Sequence, residues 1–403
     1  MTYRCFYACW LCVFTCLAML ATPASAADKS GYSTGFTRWR SADGAFSSWA
    51  RTGVKLVRGA PQIDLASAQS ITDPYPAGGY FGHNYYNGGS SLFGEVTSPI
   101  VSTSFGFSEA IASWNADTPA GSWIETQIRA QIGGRWTKWY VLGIWAAGNS
   151  TIERHSVNGQ ADSDGTVAVD TLVLAKKTFA NAFQLKLRLF STGGAIPSLR
   201  NASVAYSTTA SKPSTLVSGN PALWNHSLDV PKCSQMVYPD GGEVWCSPTS
   251  TSMVLGYWAN ATGQCEPRVR AAVAGVYDWL YNGHGNWPFN TAYAATQGQE
   301  GYVARFGNLA QLEPWIAAGV PVVISIAWKK GDLTGSTIPS TNGHLLVLVG
   351  FDSSGNPIIN DPAAASDAAV RVTYQRAEFE PLWLETSGGT VYLIFPPGMA
   401  VPL

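Results

Sequence analysis

The chain has 403 residues, 25 Lys and Arg against 26 Asp and Glu, a formal net charge of −1, 46% hydrophobic residues and 13% charged ones. A composition this rich in core-forming side chains and this poor in charge excludes disorder as the default, and the missing basic surplus excludes nucleic acid as a partner. The length exceeds the roughly 150 residues of one ordinary domain.

Arg4 is the only charged side chain before Asp28; an apolar run from Cys5 to Ala21 follows it, and then small residues through Ala27. This is the layout of a secretory signal peptide over residues 1–26, so the mature protein is expected to be secreted or periplasmic, with no membrane contact after cleavage. Four of the seven cysteines (Cys5, Cys9, Cys12, Cys16) fall in that segment, which leaves Cys233, Cys246 and Cys265. An odd number of cysteines in an oxidising compartment leaves one thiol free.

Residues 28–206 read as all-β. From Phe183 to Leu189 apolar and polar side chains alternate, the signature of a strand with one wet face. Ile124 to Ala130, Trp136 to Leu142 and Thr166 to Leu174 are further strands, punctuated by turn signals at Gly88-Gly89, Gly133-Gly134 and Asp162 to Gly165. Many short strands with frequent turns predict a sandwich of the jelly-roll kind. The tryptophans here (Trp39, Trp49, Trp114, Trp123, Trp136, Trp139, Trp145) either pack a core or offer stacking faces to a ligand such as a sugar, with core packing the favoured reading. Residues 207–222 are rich in Ser, Thr, Gly and Pro and carry no periodicity, as a linker does.

Residues 223–397 change character. Helices are expected over Ser247–Trp258, Arg268–Tyr281 and Leu309–Ala318, then strands over Val320–Ala327, His344–Phe351, Pro357–Asn360 and Thr390–Phe395. Helices first and strands later indicate an α+β domain.

Four positions in this half carry chemistry. Cys246 opens the first helix, where free N–H groups and the helix dipole favour a thiolate, the attacking form of the residue. His344 opens a strongly apolar strand. Asp361 ends the next short strand, and a hairpin through Ser353 to Asn356 would bring the two strand ends together, letting the carboxylate orient the imidazole. Gln235, upstream of Cys246, is a candidate donor to an oxyanion, beside the Cys246 N–H. Singly they also read as a buried cysteine, a satisfied histidine, a turn aspartate and a neutral glutamine. Together they supply nucleophile, base, orienter and oxyanion donor in one domain.

The segment from Gln235 to Met253, the strand Gly343 to Gly350 and the turn Asn360-Asp361-Pro362 resemble the double-glycine leader peptidase family, cysteine peptidase family thirty-nine, in its broader "like" branch of secreted bacterial proteins. The resemblance covers roughly residues 228–396 and implies a papain-like fold with Cys246, His344, Asp361 and Gln235 in the roles just given. Two departures bear on substrate. Ser247 follows Cys246 where the family commonly has Gly, and no ABC-transporter segment follows, so the chemistry is carried over and the double-glycine leader substrates are not.

The expected organisation is thus a signal peptide (1–26), a β-sandwich domain of unassigned ligand (28–206), a linker (207–222) and a papain-like cysteine peptidase domain (223–397). Trp245, Trp287 and Asn290 are candidate cleft residues, in a stretch that reads equally as a loop packed by its own aromatics. His284 is a rival base with no carboxylate at strand spacing. If Cys246 is the nucleophile, Cys233 and Cys265 remain to pair. No cofactor or metal is expected, and the expected partner is a peptide or protein substrate, including one attached to the cell wall. Two other functions fit the sequence: a cell-wall amide hydrolase or acyl transferase on the same site, and a non-catalytic binding protein with a degenerate papain-like domain.

Overall fold

The computed structural model describes residues 32–402, and the signal peptide expected over 1–26 lies outside the described residues. Among those described, no helix is long and apolar enough to cross a membrane.

The N-terminal half forms two antiparallel sheets. One runs, in spatial order, through Gly165–Ala168, Thr171–Leu174, Glu109–Asp117, Ser198–Ser207, Ala60–Ile63 and Val54–Val57, with Thr34–Arg40 added on Ser198–Ser207. The other runs through Arg135–Trp136, Ser122–Ile132, Ala180–Ser191, Ser90–Thr97 and Ala50–Thr52. The alternation read in the sequence orients the central strand. Phe183, Leu185, Leu187 and Leu189 are fully buried, while Gln184, Lys186 and Arg188 sit half-buried on the opposite face. The inward side chains of the two sheets share one apolar cluster, giving a β-sandwich-like body. Trp39, Trp49, Trp114, Trp123 and Trp145 are buried. Trp136 and Trp139 are half-exposed and hold the Arg129 guanidinium 4.5 and 4.7 Å from their ring centres.

The C-terminal half carries helices α1 (Cys246–Trp258), α2 (Glu266–Val276), α3 (Trp287–Thr296), α4 (Glu313–Ala317) and α5 (Arg376–Ser387). Its antiparallel sheet orders Glu300–Arg305, Thr390–Phe395, Val322–Trp328, Thr341–Phe351, Pro357–Asn360 and Arg371–Thr373. Two expected helices differ from the reading. The Arg268–Tyr281 helix ends at Val276, because Tyr277 turns extended (ψ 126) and the Asp278 carboxylate accepts from the N–H groups of Leu280 and Tyr281 to build a turn. The Leu309–Ala318 helix breaks into a short 3-10 turn, Leu309–Gln311, and α4, with Pro314 in the first turn of α4.

Helices α2 and α3 belong to both halves. Ala272, Val276, Phe289, Ala292 and Tyr293 lie in the sandwich's own apolar cluster, with the Phe289 ring 5.3 Å from Trp145 and 6.1 Å from Trp114. Buried polar contacts join the halves as well. Asn115 Nδ2 donates to the Gly301 carbonyl at 2.6 Å, the Ser156 N–H donates to Asp278 Oδ1 at 3.0 Å, and Arg305 pairs with Glu109 at 2.5 Å. Residues 208–220, the heart of the expected linker, hold no helix or strand and are mostly exposed.

Cys233 and Cys265 are joined by a disulfide, with Cα atoms 5.7 Å apart. The bridge ties the segment bearing Gln235 to the start of α2 and spans a sequence separation of 32, so its loss should cost about 3–4 kcal/mol through the unfolded chain. The double variant Cys233→Ala/Cys265→Ala is expected to melt roughly 5 °C lower by calorimetry. An unchanged midpoint would refute that role.

Candidate active site

Helix α1 is buried on nearly every side, so it shows no amphipathic stripe; Ser247, Thr249, Ser250, Thr251 and Ser252 are all inside. Most of its hydroxyls find partners, which lets so polar a helix sit against the sheet. Ser250 Oγ donates to the Leu345 carbonyl at 2.9 Å, Thr251 Oγ1 to Asn290 at 3.2 Å, and Ser247 Oγ meets the Tyr392 hydroxyl at 2.9 Å. The Ser250–Leu345 bond fixes the start of α1 beside the residue that follows His344, and so sets Cys246 against the imidazole.

In the first turn of α1, Pro248 has no N–H and the Thr249 N–H bonds the Trp245 carbonyl. The donors left to serve an anion are those of Cys246 and Ser247, and the Ser247 N–H already supports the sulfur.

The hairpin expected after His344 is present, with Phe351 opposite Pro357 and Val347 opposite Asn360. It brings His344 Nε2 to 2.7 Å from Asp361 Oδ1. The other ring nitrogen is left for Cys246, whose sulfur is hydrogen-bonded to the same ring. Asp361 is fully buried and saturated with donors. The Ala363 N–H reaches Oδ1 at 2.9 Å, while Thr337 Oγ1 and the Tyr374 hydroxyl reach Oδ2 at 2.8 and 2.7 Å. The Trp328 ring stands edge-on to the imidazole, centroids 5.6 Å apart. Trp328, Thr337 and Tyr374 were not anticipated from the sequence, since no motif spacing links them to His344 or Asp361.

The electrostatics of the three groups are coupled. Burial penalises each charged form. It opposes the Cys246 thiolate, yet the hydrogen bond and charge of His344, with the backbone N–H groups of Leu345 and Ser247, outweigh it and hold the thiol pKa below its ordinary value. Burial opposes the imidazolium too, but the charge and hydrogen bond of Asp361 and the contact with Cys246 carry His344 up to about 10. Asp361 is held below the usual carboxylate range, the His344 charge and its donors overcoming burial. Between the lowered Cys246 pKa and about pH 10, where His344 loses its proton, the three groups form an ion chain: thiolate, imidazolium, carboxylate.

Cys246, His344 and Gln235 line a cleft of about 1110 Å³. The Gln235 side chain is buried; Nε2 donates to the Gly242 carbonyl at 2.8 Å and Oε1 has no partner among the described residues. One N–H of that amide is thus engaged, and the second has no hydrogen-bond partner among the described residues. Of the three expected cleft residues, only Trp287 lines it. Trp245 is packed against Tyr238, its ring 5.7 Å away. Asn290 is fully buried in α3, donating to the carbonyls of His284 and Asn286. The stretch read as a loop is a helix here, N-capped by Asn286, which turns Asn290 inward. His284 does line the cleft, but burial lowers its pKa to about 4 and its Nδ1 has no partner among the described residues, so it is neutral at pH 7 and lacks the carboxylate that His344 has.

The far wall of the cleft comes from the sandwich: Ala168 to Thr171 and Val173 line it. Nothing in the sequence of the first half signalled this.

Comparison with known proteins gives two tandem matches. A family model described as "Peptidase C39 N-terminal domain" covers residues 35–207, and one described as "Peptidase_C39 like family" covers residues 227–391. The chain belongs to the peptidase C39-like family. No curated protein matches it. Among solved structures, TmCBM61 in complex with beta-1,4-galactotriose is similar at 10% identity and a TM-score of 0.19, over 41% of this chain and 92% of that one. A cleaved adhesin domain of Lys-gingipain from Porphyromonas gingivalis is similar at 13% identity and a TM-score of 0.18, over 42% and 97%. Likenesses this slight carry no argument about fold or ligand.

Proposed function

We propose that this C39-like protein is a secreted cysteine peptidase with a papain-like catalytic half, in which Cys246 is the nucleophile, His344 the acid and base, Asp361 the residue that orients it, and Gln235 an oxyanion donor. The supporting observation is the unbroken hydrogen-bonded path from Cys246 through His344 to Asp361 at the head of a helix in an open cleft. In the reaction the Cys246 thiolate adds to the substrate carbonyl carbon, and the carbonyl electron pair moves to oxygen. The Cys246 N–H and the free N–H of Gln235 stabilise that oxyanion. The oxyanion then collapses, the carbon–nitrogen bond breaks, and the His344 proton goes to the departing amine. Neutral His344 next takes a proton from water, whose oxygen attacks the thioester, and the thiolate leaves with the acid product.

The test reads the sulfur first. Purified protein should take up one equivalent of iodoacetamide at Cys246 near neutral pH, about tenfold faster than an unperturbed thiol. A peptide library should be cut by the wild type and left intact by Cys246→Ala. The rate of hydrolysis should rise as pH passes the lowered Cys246 pKa. It should fall again near pH 10, where His344 gives up the proton that the leaving amine needs. Slow alkylation that follows an ordinary thiol titration would overturn the reading.

A further inference from the structure

The cleft carries a charge asymmetry, and part of it is built by the sandwich. Among the described residues that line it there are two carboxylates, Asp170 and Glu243, and neither Lys nor Arg. His284 is neutral at pH 7, and once Cys246 ionises its charge is balanced by the His344 imidazolium. At the mouth stand exposed apolar side chains: Met236 at 45%, Val244 at 60% and Tyr281 at 49%.

Asp170 is placed there at a conformational cost. It follows Val169 in the two-residue turn between Gly165–Ala168 and Thr171–Leu174. Val169 sits at φ 59, a region that a β-branched residue rarely enters, and the Asp170 N–H folds back onto the Ala168 carbonyl at 2.7 Å. Such strain persists only where the surroundings enforce it. The surroundings here are the other half of the molecule: Asp170 Oδ2 accepts from the Trp287 N–H at 2.7 Å, and Oδ1 from Thr171 Oγ1 at 2.9 Å. Arg305, the cation that acts on Asp170, is engaged by Glu109 and Ser207. Glu243 approaches from the opposite half, one residue past the Gly242 carbonyl that holds Gln235, and is exposed. Asp170 and Cys246 line the same cleft.

We infer that the cleft selects peptides that are cationic or uncharged beside the scissile bond and rejects acidic ones, with Asp170, supplied by the sandwich, and Glu243 as the specificity-determining pair. The inference rests on the peptidase reading for its substrate, but the electrostatics can be tested apart from it. A buried carboxyl with a pKa raised to about 7 is drawn to its charged form by a neighbouring cation, and either carboxylate repels a second one brought into so confined a space.

The first measurement is the rate at which Cys246 is modified by a cationic (trimethylammonium-ethyl) and an anionic (sulfonatoethyl) methanethiosulfonate. It is followed by mass spectrometry of the Cys246 peptide at about pH 8.5 and low salt, with each rate normalised to a free small thiol. The cationic reagent should be favoured by on the order of tenfold, and about 1 M salt should largely erase the preference. Glu243→Gln, an exposed change that leaves packing alone, and Asp170→Asn should each reduce it severalfold. The second measurement is cleavage of two matched fluorogenic peptide mixtures that carry either lysine or glutamate at one fixed position beside the cut; the lysine mixture should be cut about tenfold faster. A normalised ratio near one, or one unmoved by Glu243→Gln, overturns the inference, as does equal or faster cleavage of the glutamate mixture. Reagent preference with neither mixture cut overturns the peptidase reading and the substrate claim together. Cleavage without charge preference overturns this inference alone and leaves that reading standing.

Discussion

Asp361→Asn is expected to slow both peptide hydrolysis and alkylation of Cys246 by about a hundredfold or more, with the fold intact. The amide can occupy the same space. On the Oδ2 side the two partners are the hydroxyls of Thr337 and Tyr374, which can turn to accept from an Nδ2 group, while the remaining oxygen keeps the Ala363 N–H and His344. What disappears is charge. His344 is carried to about 10 against its own burial chiefly by the Asp361 carboxylate; without it, desolvation dominates and the imidazolium is lost at neutral pH. The thiol then loses the cation that lowers its pKa. The signature is a rate of iodoacetamide uptake that climbs only at the pH of an ordinary or raised thiol, in a protein that circular dichroism shows still folded, with a lowered melting midpoint because the stability carried by the raised His344 pKa is lost. Uptake within a factor of about three of the wild type would remove Asp361 from the ion chain.

A chain lacking residues 32–207 is expected to be insoluble or unfolded. In the full protein, Val276, Phe289 and Tyr293 are buried in the sandwich's cluster, and exposing each forfeits about 1.5–3 kcal/mol. The sum, roughly 5–9 kcal/mol, is comparable with the entire stability of a typical domain, about 5–15 kcal/mol. The loss would also strip the Asp278 carboxylate of Ser156 and leave Arg305 without Glu109. A truncated chain that is monomeric, folded by circular dichroism and as reactive at Cys246 as the full protein would contradict this. For the same reason, a proteolytic nick in the exposed 208–220 segment should leave the two pieces associated, which argues against the first half acting as a detachable propeptide.

The sequence showed most about residues whose environment is local. The strands Pro357–Asn360 and Thr390–Phe395 were legible to the residue because each is short, apolar and bounded by turn signals. His344 and Asp361 could be paired because a five-residue connection, Asp352 to Asn356, joins their strands. Helix α3 escaped because Gly285, Asn286 and Pro288 look like loop punctuation, although Asn286 as N-cap and Pro in the first turn are helix-start signals. Helix α5 escaped because Pro381 lies inside it. The supporting shell of Trp328, Thr337 and Tyr374, and the wall around Asp170, depend on contacts between segments far apart in the chain, which periodicity cannot report.

Among the described residues, Cys246 holds the one free thiol, since Cys233 and Cys265 are bonded to each other. If a peroxide converts that thiolate to a sulfenic acid, no neighbouring thiol stands ready to condense with it. Recovery would then depend on a small reductant diffusing into the cleft, and further oxidation to the sulfinic acid would be permanent. Ambient redox conditions would thus set the working lifetime of the molecule independently of how firmly it is folded.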